Sequence, residues 1–335
     1  MCVLCAVIMW CVAVPHLHSQ ALRRSHQPPG RLVDIGGRKL HLNCSGSGSP
    51  TVVFEAGGDA YAIDWALVQP RIALQTRVCS YDRAGLGWSD PGPADETVEQ
   101  TSADLHALLL TAKEKGPYIL VGASVGGAFV RAYQRAFPKE VAALVFTNSS
   151  NHIGISVKGK AGLIWDLTEA EIRSGYPLPA SAKGSEPTYE GEPFNRLPPD
   201  LQQDRLWLDQ THWERFNPAT TGPEATLSWH REFVKEFEEA KNGTSPVLGR
   251  LPVIVVSSSP VLGKSDCLSH STAAACLDFL SSNTVHITAT GSGHEIHLYQ
   301  PETVVQALLQ AVSAVPNRVP LSSADAAKYF SRERN

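Results

Sequence analysis

The stretch Tyr118-Ile119-Leu120-Val121-Gly122-Ala123-Ser124-Val125-Gly126-Gly127-Ala128-Phe129-Val130 decides the fold. Its first four residues are a continuous apolar run, as in a strand buried on both faces. From Val125 to Phe137 the spacing is helical, and Pro138 ends it. Between the two lies Gly122-Ala123-Ser124-Val125-Gly126, a G-x-S-x-G sequence. A sharp strand-to-helix turn there lifts a serine hydroxyl above the sheet, and the flanking glycines remove side chains that would clash within the turn. The helix N-terminus adds free N–H groups and a positive dipole end, both favourable to an anion developing beside the serine. Ser124 is the candidate nucleophile. A merely Gly-rich turn would account for the five letters, but not for a strand and a helix on the correct sides.

Outward from this point, strands alternate with helices. Residues 51–55, 77–81, 141–146, 251–256 and 285–289 read as strands, and 65–74, 98–112 and 301–315 as helices. Ahead of them, two strands at 32–35 and 39–44 flank Gly36-Gly37, a hairpin signal. This pattern predicts an α/β protein whose mostly parallel sheet carries helices on both faces. It breaks between 151 and 246, where helices at 201–210 and 225–241 sit among Pro, Gly and charge clusters. Four of the seven tryptophans fall there: Trp165, Trp207, Trp213 and Trp229. The expected organisation is a leader and linker (1–30), a core (31–150 and 247–315), an inserted helical lid (151–246) and a tail (316–335).

A serine hydroxyl needs a base at neutral pH. Gly291-Ser292-Gly293-His294 follows the last predicted strand and comes after Ser124 in the chain, which makes His294 the candidate base. His297 is the competitor, expected to pack in the next helical turn. The group that orients the imidazole is expected at Asp266, in the loop after strand 251–256; Asp278 is the rival. Asn148 stands at the end of the preceding strand, the other place for such an acid, and carries no charge. The oxyanion hole should combine the backbone N–H of Val125 with one from the loop after strand 51–55, at Gly58 rather than Gly57, since glycine allows close approach to substrate. Asp82 and Arg83, in Tyr81-Asp82-Arg83-Ala84-Gly85-Leu86-Gly87-Trp88-Ser89, read as ordering groups of a loop beside the site mouth; the glycine pattern is not that of a P-loop. No cofactor or metal is called for. In His294-Glu295-Ile296-His297 the histidines are three apart, where the zinc-protease motif needs four.

Over 335 residues the formal net charge is −4, which argues against a nucleic-acid partner but names none; a small-molecule substrate is the expectation from the candidate site itself. Residues 1–14 are uncharged and nearly all apolar. They match the core of an export signal in length, with Ser19-Gln20-Ala21 as a small-x-small cleavage pattern, although no Lys or Arg precedes them. Export or membrane anchoring through this segment is the expectation, and the oligomeric state is left open. Among seven cysteines, Cys44 and Cys79 fall on predicted strands and Cys267 and Cys276 are close in sequence, so either pair could be bridged in an exported chain.

Together, the elbow around Ser124, the segment 82–89, and Gly293-His294 followed by Gln300-Pro301 resemble the α/β-hydrolase superfamily, as do Asn43-Cys44-Ser45-Gly46-Ser47-Gly48 and Phe54-Glu55-Ala56-Gly57. The resemblance covers about residues 30–150 and 250–315. It implies an eight-stranded sheet with an antiparallel first hairpin and a Ser-Asp/Glu-His triad. In such proteins the acid usually follows the penultimate strand more closely than Asp266 does, and an Asp often stands where this chain has Asn148. Epoxide hydrolases and haloalkane dehalogenases of the superfamily carry Asp at the elbow, so Ser124 points instead to acyl transfer on an ester, thioester or amide. Alternatives are an aminopeptidase, whose lid would offer Glu232, Glu236 or Glu238 to the substrate amine, a cofactor-free perhydrolase side activity, and a non-catalytic ligand receptor on the same fold.

Overall fold

A computed structural model describes residues 26–58, 60–92, 96–149, 154–157, 160–163, 169–170, 191–225 in part, 227–232, 235, 247–258, 280–317 and 319–322. Eight strands form one sheet in the order β1-β2-β4-β3-β5-β6-β9-β10. They are β1 (Arg31–Asp34), β2 (Lys39–Ser45), β3 (Thr51–Glu55), β4 (Val78–Tyr81), β5 (Tyr118–Ala123), β6 (Val141–Thr147), β9 (Val253–Ser257) and β10 (Thr284–Thr288). β1 pairs antiparallel with β2, and β2 with β4; from β4 to β10 every pairing is parallel. The hairpin between β1 and β2 turns at Gly36 and Gly37, with φ of 97° and 100°.

The alternation of side chains across the sheet divides the core in two. Val53, Leu120, Leu144, Phe146, Val253 and Val255 face one layer, with Leu105, Leu108 and Leu109 of helix α1 (Val98–Ala112) and Val130 and Tyr133 of α2 (Gly126–Ala136). Their chain neighbours Val52, Phe54, Val121, Val145, Ile254 and Val256 face the opposite layer, with Val304 and Leu308 of the C-terminal helix (Pro301–Asn317). Period-two alternation in a strand makes this division unavoidable, and each such side chain contributes about 1.5–3 kcal/mol by leaving water.

Cys44 and Cys79 lie directly opposite on β2 and β4 and form a disulfide. Cys267 and Cys276 lie outside the described residues, as do the leader and most of the tail. Among the described residues no helix is long and apolar enough to cross a membrane. Between β6 and β9 the chain forms a small antiparallel pair, β7 (Gly154–Val157) with β8 (Lys160–Leu163), where the sequence pattern predicts only helices. Helix α3 (Pro199–Glu214) follows in that insertion and covers the predicted 201–210. With α3 numbered, the C-terminal helix Pro301–Asn317 is α4.

α3 is tied to the core by charge as well as by apolar contact. Arg205 binds Asp64 at 3.1 Å and Asp209 at 2.8 Å, all three being buried. Its guanidinium stacks on Tyr61 and Phe194, and Tyr61 donates to Asp209 at 3.0 Å. Leu208 packs with Tyr61, Ile63 and Leu86.

Candidate active site

The chain turns sharply where β5 ends. Ser124 has φ of 52°, a left-handed conformation costly for any residue with a Cβ. Its N–H donates to the Thr147 carbonyl at 3.1 Å, and its own carbonyl accepts from Gly127 N–H (3.1 Å) and Ser149 Oγ (2.7 Å). The strain is therefore held by bonds on both sides of the residue. The glycines are required for contact as much as for conformation. A Cβ on Gly122 would lie 2.7 Å from the Gly126 carbonyl oxygen, and one on Gly126 would lie 2.7 Å from that of Ala56.

The loop after β3 meets this turn from the other side. A Cβ on Gly57 would touch Ser124 Cβ at 3.4 Å, and one on Gly58 would lie 3.8 Å from Val125 Cγ1. Among the described residues, no backbone carbonyl takes the N–H of Gly57, Gly58 or Val125.

His294 comes from the loop after β10, exposed at the rim of the site. Its loop is held by Asn148, which sits just past the end of β6 with φ of 41°, a conformation Asn tolerates better than most residues. Asn148 Nδ2 donates to the carbonyls of His294 (3.0 Å) and Gly293 (3.3 Å), while its Oδ1 accepts from Ser258 N–H at 2.9 Å. Those partners fix the amide orientation, because only the nitrogen can donate. The residue that stands at the alternative acid position is thus a clamp joining the loop after β9 to the His294 loop. Sequence reading noted its place but not this role; its position at a strand end was the only signal.

Ser124, Val125, Gly57, Gly58 and His294 all line one open cavity of ≈ 380 Å³. Phe194 and Trp229, both from the insertion, form part of its wall. Asp64, Arg205, Glu295 and His297 supply a polar side that sequence reading did not anticipate. Asp64 lies 60 positions before Ser124 and Arg205 lies 81 after it, and nothing local in the sequence marks either residue for this place. His297 is buried in the helical turn Ile296–Tyr299 and stacks on Trp65 at 4.4 Å. Burial, with His294 and Arg205 nearby, lowers its pKa to about 3, so it is neutral at physiological pH. A smaller recess, shared with Gly58 and Val125, is lined by Arg83, Glu96, Phe129 and Trp229. Burial raises Glu96 to about 7, with Asp104 adding to the rise.

The segment 82–89 behaves as an ordering loop. Asp82 accepts from Ala62 N–H at 2.8 Å and from Trp88 N–H at 3.2 Å, and pairs with buried His41 at 2.7 Å. The other His41 nitrogen meets the Pro29 carbonyl at 2.6 Å, so both ring nitrogens face acceptors. Burial alone would lower the pKa of His41, but the charge of Asp82 and these bonds raise it. His41 and Asp82 thus tie β2 and the segment 82–89 to the chain at Pro29.

Asp266 and Asp278 lie outside the described residues, as do Glu236 and Glu238. Glu232, the remaining candidate for binding a substrate amine, is buried and ion-paired with Arg135.

Residues 50–174 match the model for the alpha/beta hydrolase fold. Among curated proteins, the chain is 28% identical over 118 residues to the uncharacterized protein YbdG of Bacillus subtilis, covering 35% of this chain and 36% of that one. It is 33% identical over 111 residues to 2-hydroxy-6-oxononadienedioate/2-hydroxy-6-oxononatrienedioate hydrolase of Paraburkholderia xenovorans, covering 32% and 38%. Across the curated relatives it matches, the chain spans between 18% and 40% of their length. Among solved structures, a thermophilic esterase from Thermogutta terrifontis shares 16% identity at a TM-score of 0.57, over 83% of this chain and 94% of that one. The epoxide hydrolase CorEH shares 16% identity at 0.60, over 84% and 98%. At such identities the structural likeness speaks to architecture, and it agrees with the matched segment and the strand order: the chain is an α/β-hydrolase-fold protein.

Proposed function

We propose that the protein is a serine hydrolase that cleaves a carboxylic ester, or a related acyl bond, of a small molecule through an acyl-enzyme. The observation that carries this reading is the strained Ser124, lining the same cavity as His294 and flanked by the Gly57–Gly58 loop and Val125. Ser124 Oγ attacks the carbonyl carbon while His294 takes its proton. The oxyanion is met by the N–H groups of Val125 and Gly58, and the protonated His294 then gives its proton to the leaving alcohol. Water, activated by the same imidazole, releases the acid and restores Ser124. Asp266 is the proposed group that orients the ring. The apolar wall of Phe194 and Trp229 suits a largely apolar substrate.

An esterase-named structure among the similar folds supports acyl chemistry, and a serine at the elbow separates this chain from the epoxide hydrolases that share the fold. Of the three carboxylates the aminopeptidase alternative could use, Glu232 is already paired with Arg135. Turnover of an aryl-ester panel tests the reading. Ser124→Ala and His294→Ala should each lower kcat by about 10⁴–10⁶-fold. Preferential cleavage of aminoacyl-arylamides would favour the peptidase instead.

A further inference from the structure

We propose that Arg83 is a positioning residue that orients the peptide planes of the oxyanion loop, an inference that rests on the hydrolase reading. Arg83 follows β4 by two positions and is buried. Its guanidinium reaches three successive carbonyls of the loop after β3. Nη1 donates to the Ala56 carbonyl at 2.7 Å, and Nη2 donates to those of Gly57 at 2.5 Å and Gly58 at 2.9 Å. Nη1 also donates to Glu55 Oε1 at 2.5 Å, and the other oxygen of Glu55 accepts from the Tyr81 hydroxyl. The cation therefore has a buried counterion at the root of the same loop. Its face is closed by the Phe129 ring at 4.8 Å.

A trans peptide carries its C=O and N–H on opposite sides. Turning the Ala56 and Gly57 carbonyls onto Arg83 therefore turns the N–H groups of Gly57 and Gly58 away from it. Ser124 and Val125 approach the loop at these same two glycines, within ordinary contact distance of where a Cβ would stand. Left to itself, a Gly-Gly loop samples many orientations of these planes, because glycine loses more conformational freedom on ordering than any other residue. Arg83 removes that freedom before substrate arrives, and hydrogen-bond donors fixed in advance are what stabilise an oxyanion. Only a planar, five-donor cation can hold three carbonyls and a carboxylate together; a lysine ammonium has three donors on one atom.

The test compares matched aryl esters and thionoesters. Sulfur accepts hydrogen bonds poorly, so the preference for the oxygen ester measures how much the oxyanion donors contribute. In Arg83→Lys, kcat for the ester should fall by about 10–10³-fold, KM should move little, and the oxygen-over-sulfur preference should shrink by a similar factor. A double variant, Glu55→Gln with Arg83→Gln, removes the buried charge together with its counterion and should behave alike, which covers the case in which Arg83→Lys does not fold. An unchanged preference in a folded variant overturns the proposal, whether or not the rate falls, and so does failure of both variants to fold, which would make Arg83 structural. If the wild-type protein itself turns over no ester, the hydrolase reading fails; if it does and only the variants keep their preference, this inference alone fails.

Discussion

The two sides of the cavity are built by different means. Around Ser124 the backbone itself does the holding: a left-handed φ, glycines that permit close contact, and hydrogen bonds to the adjoining strands. His294 sits on a loop held by the side chain of Asn148, 146 residues earlier in the chain, and by Gln300, which donates to the Thr290 carbonyl at 2.8 Å. One side is thus held by its own backbone, while the other relies on side-chain bonds, the longest-range of them from Asn148. A nucleophile can be specified by five neighbouring residues, but its base has to be delivered by the tertiary structure.

Breaking the local side should have the larger effect. Gly126→Ala places a Cβ within 2.7 Å of the Ala56 carbonyl and 2.8 Å of that of Glu55, both backbone atoms that cannot swing aside. The elbow and the oxyanion loop must move apart. A stability loss of about 2–4 kcal/mol in urea unfolding is expected, with esterase kcat falling by about 10²-fold or more.

Releasing the clamp should be milder and more selective. Asn148→Ala leaves the His294 carbonyl and the Ser258 N–H without this partner, which costs about 1–3 kcal/mol. Activity should fall by roughly 10–10²-fold through misplacement of the imidazole, mainly in kcat. Asn148→Asp should not restore it, because a carboxylate there would face two carbonyl oxygens. Recovery of activity in the Asp variant would mean that this position can serve as the triad acid.

The last expected effect is in pH dependence of stability, where the two sides respond with opposite sign. Glu96, beside the oxyanion side, titrates at about 7 in the folded protein, against 4.5 ordinarily. The folded state keeps a proton that the unfolded state has lost, so this contribution to stability is full below 4.5 and disappears as pH rises to 7. His297, on the histidine side, titrates at about 3 against 6.5. Its contribution is full above 6.5 and is lost as pH falls toward 3. Each slope approaches about 1.4 kcal/mol per pH unit, and between 4.5 and 6.5 the two oppose each other. Glu96→Gln should therefore make stability rise more steeply with pH across that window, as urea unfolding at several pH values would reveal. Parallel profiles for variant and wild type would contradict this assignment.

Much of this molecule is legible in the sequence because strand burial and turn chemistry are local. The run at 118–121, Gly36-Gly37 and the elbow each announce an element within a few residues, and the structure has β5, the β1–β2 turn and α2 where they indicate. The insertion was less legible. α3 lies where helical spacing is weak but present, whereas β7 and β8 carry no alternation that separates them from loop. The polar side of the cavity was not legible at all: Asp64 and Arg205 read as ordinary charged residues until α3 lies over the Tyr61 loop and buries them as a pair. Arg83 stood out as an ordering group, but what it orders became visible only once β4 and β3 were adjacent.

Labelling the full chain with a fluorophosphonate probe, followed by mass spectrometry of the modified peptide, tests the central claim most directly. The account predicts one adduct, on Ser124, absent from Ser124→Ala and lost in His294→Ala. An unmodified Ser124, or labelling there that is indifferent to the loss of His294, would contradict it.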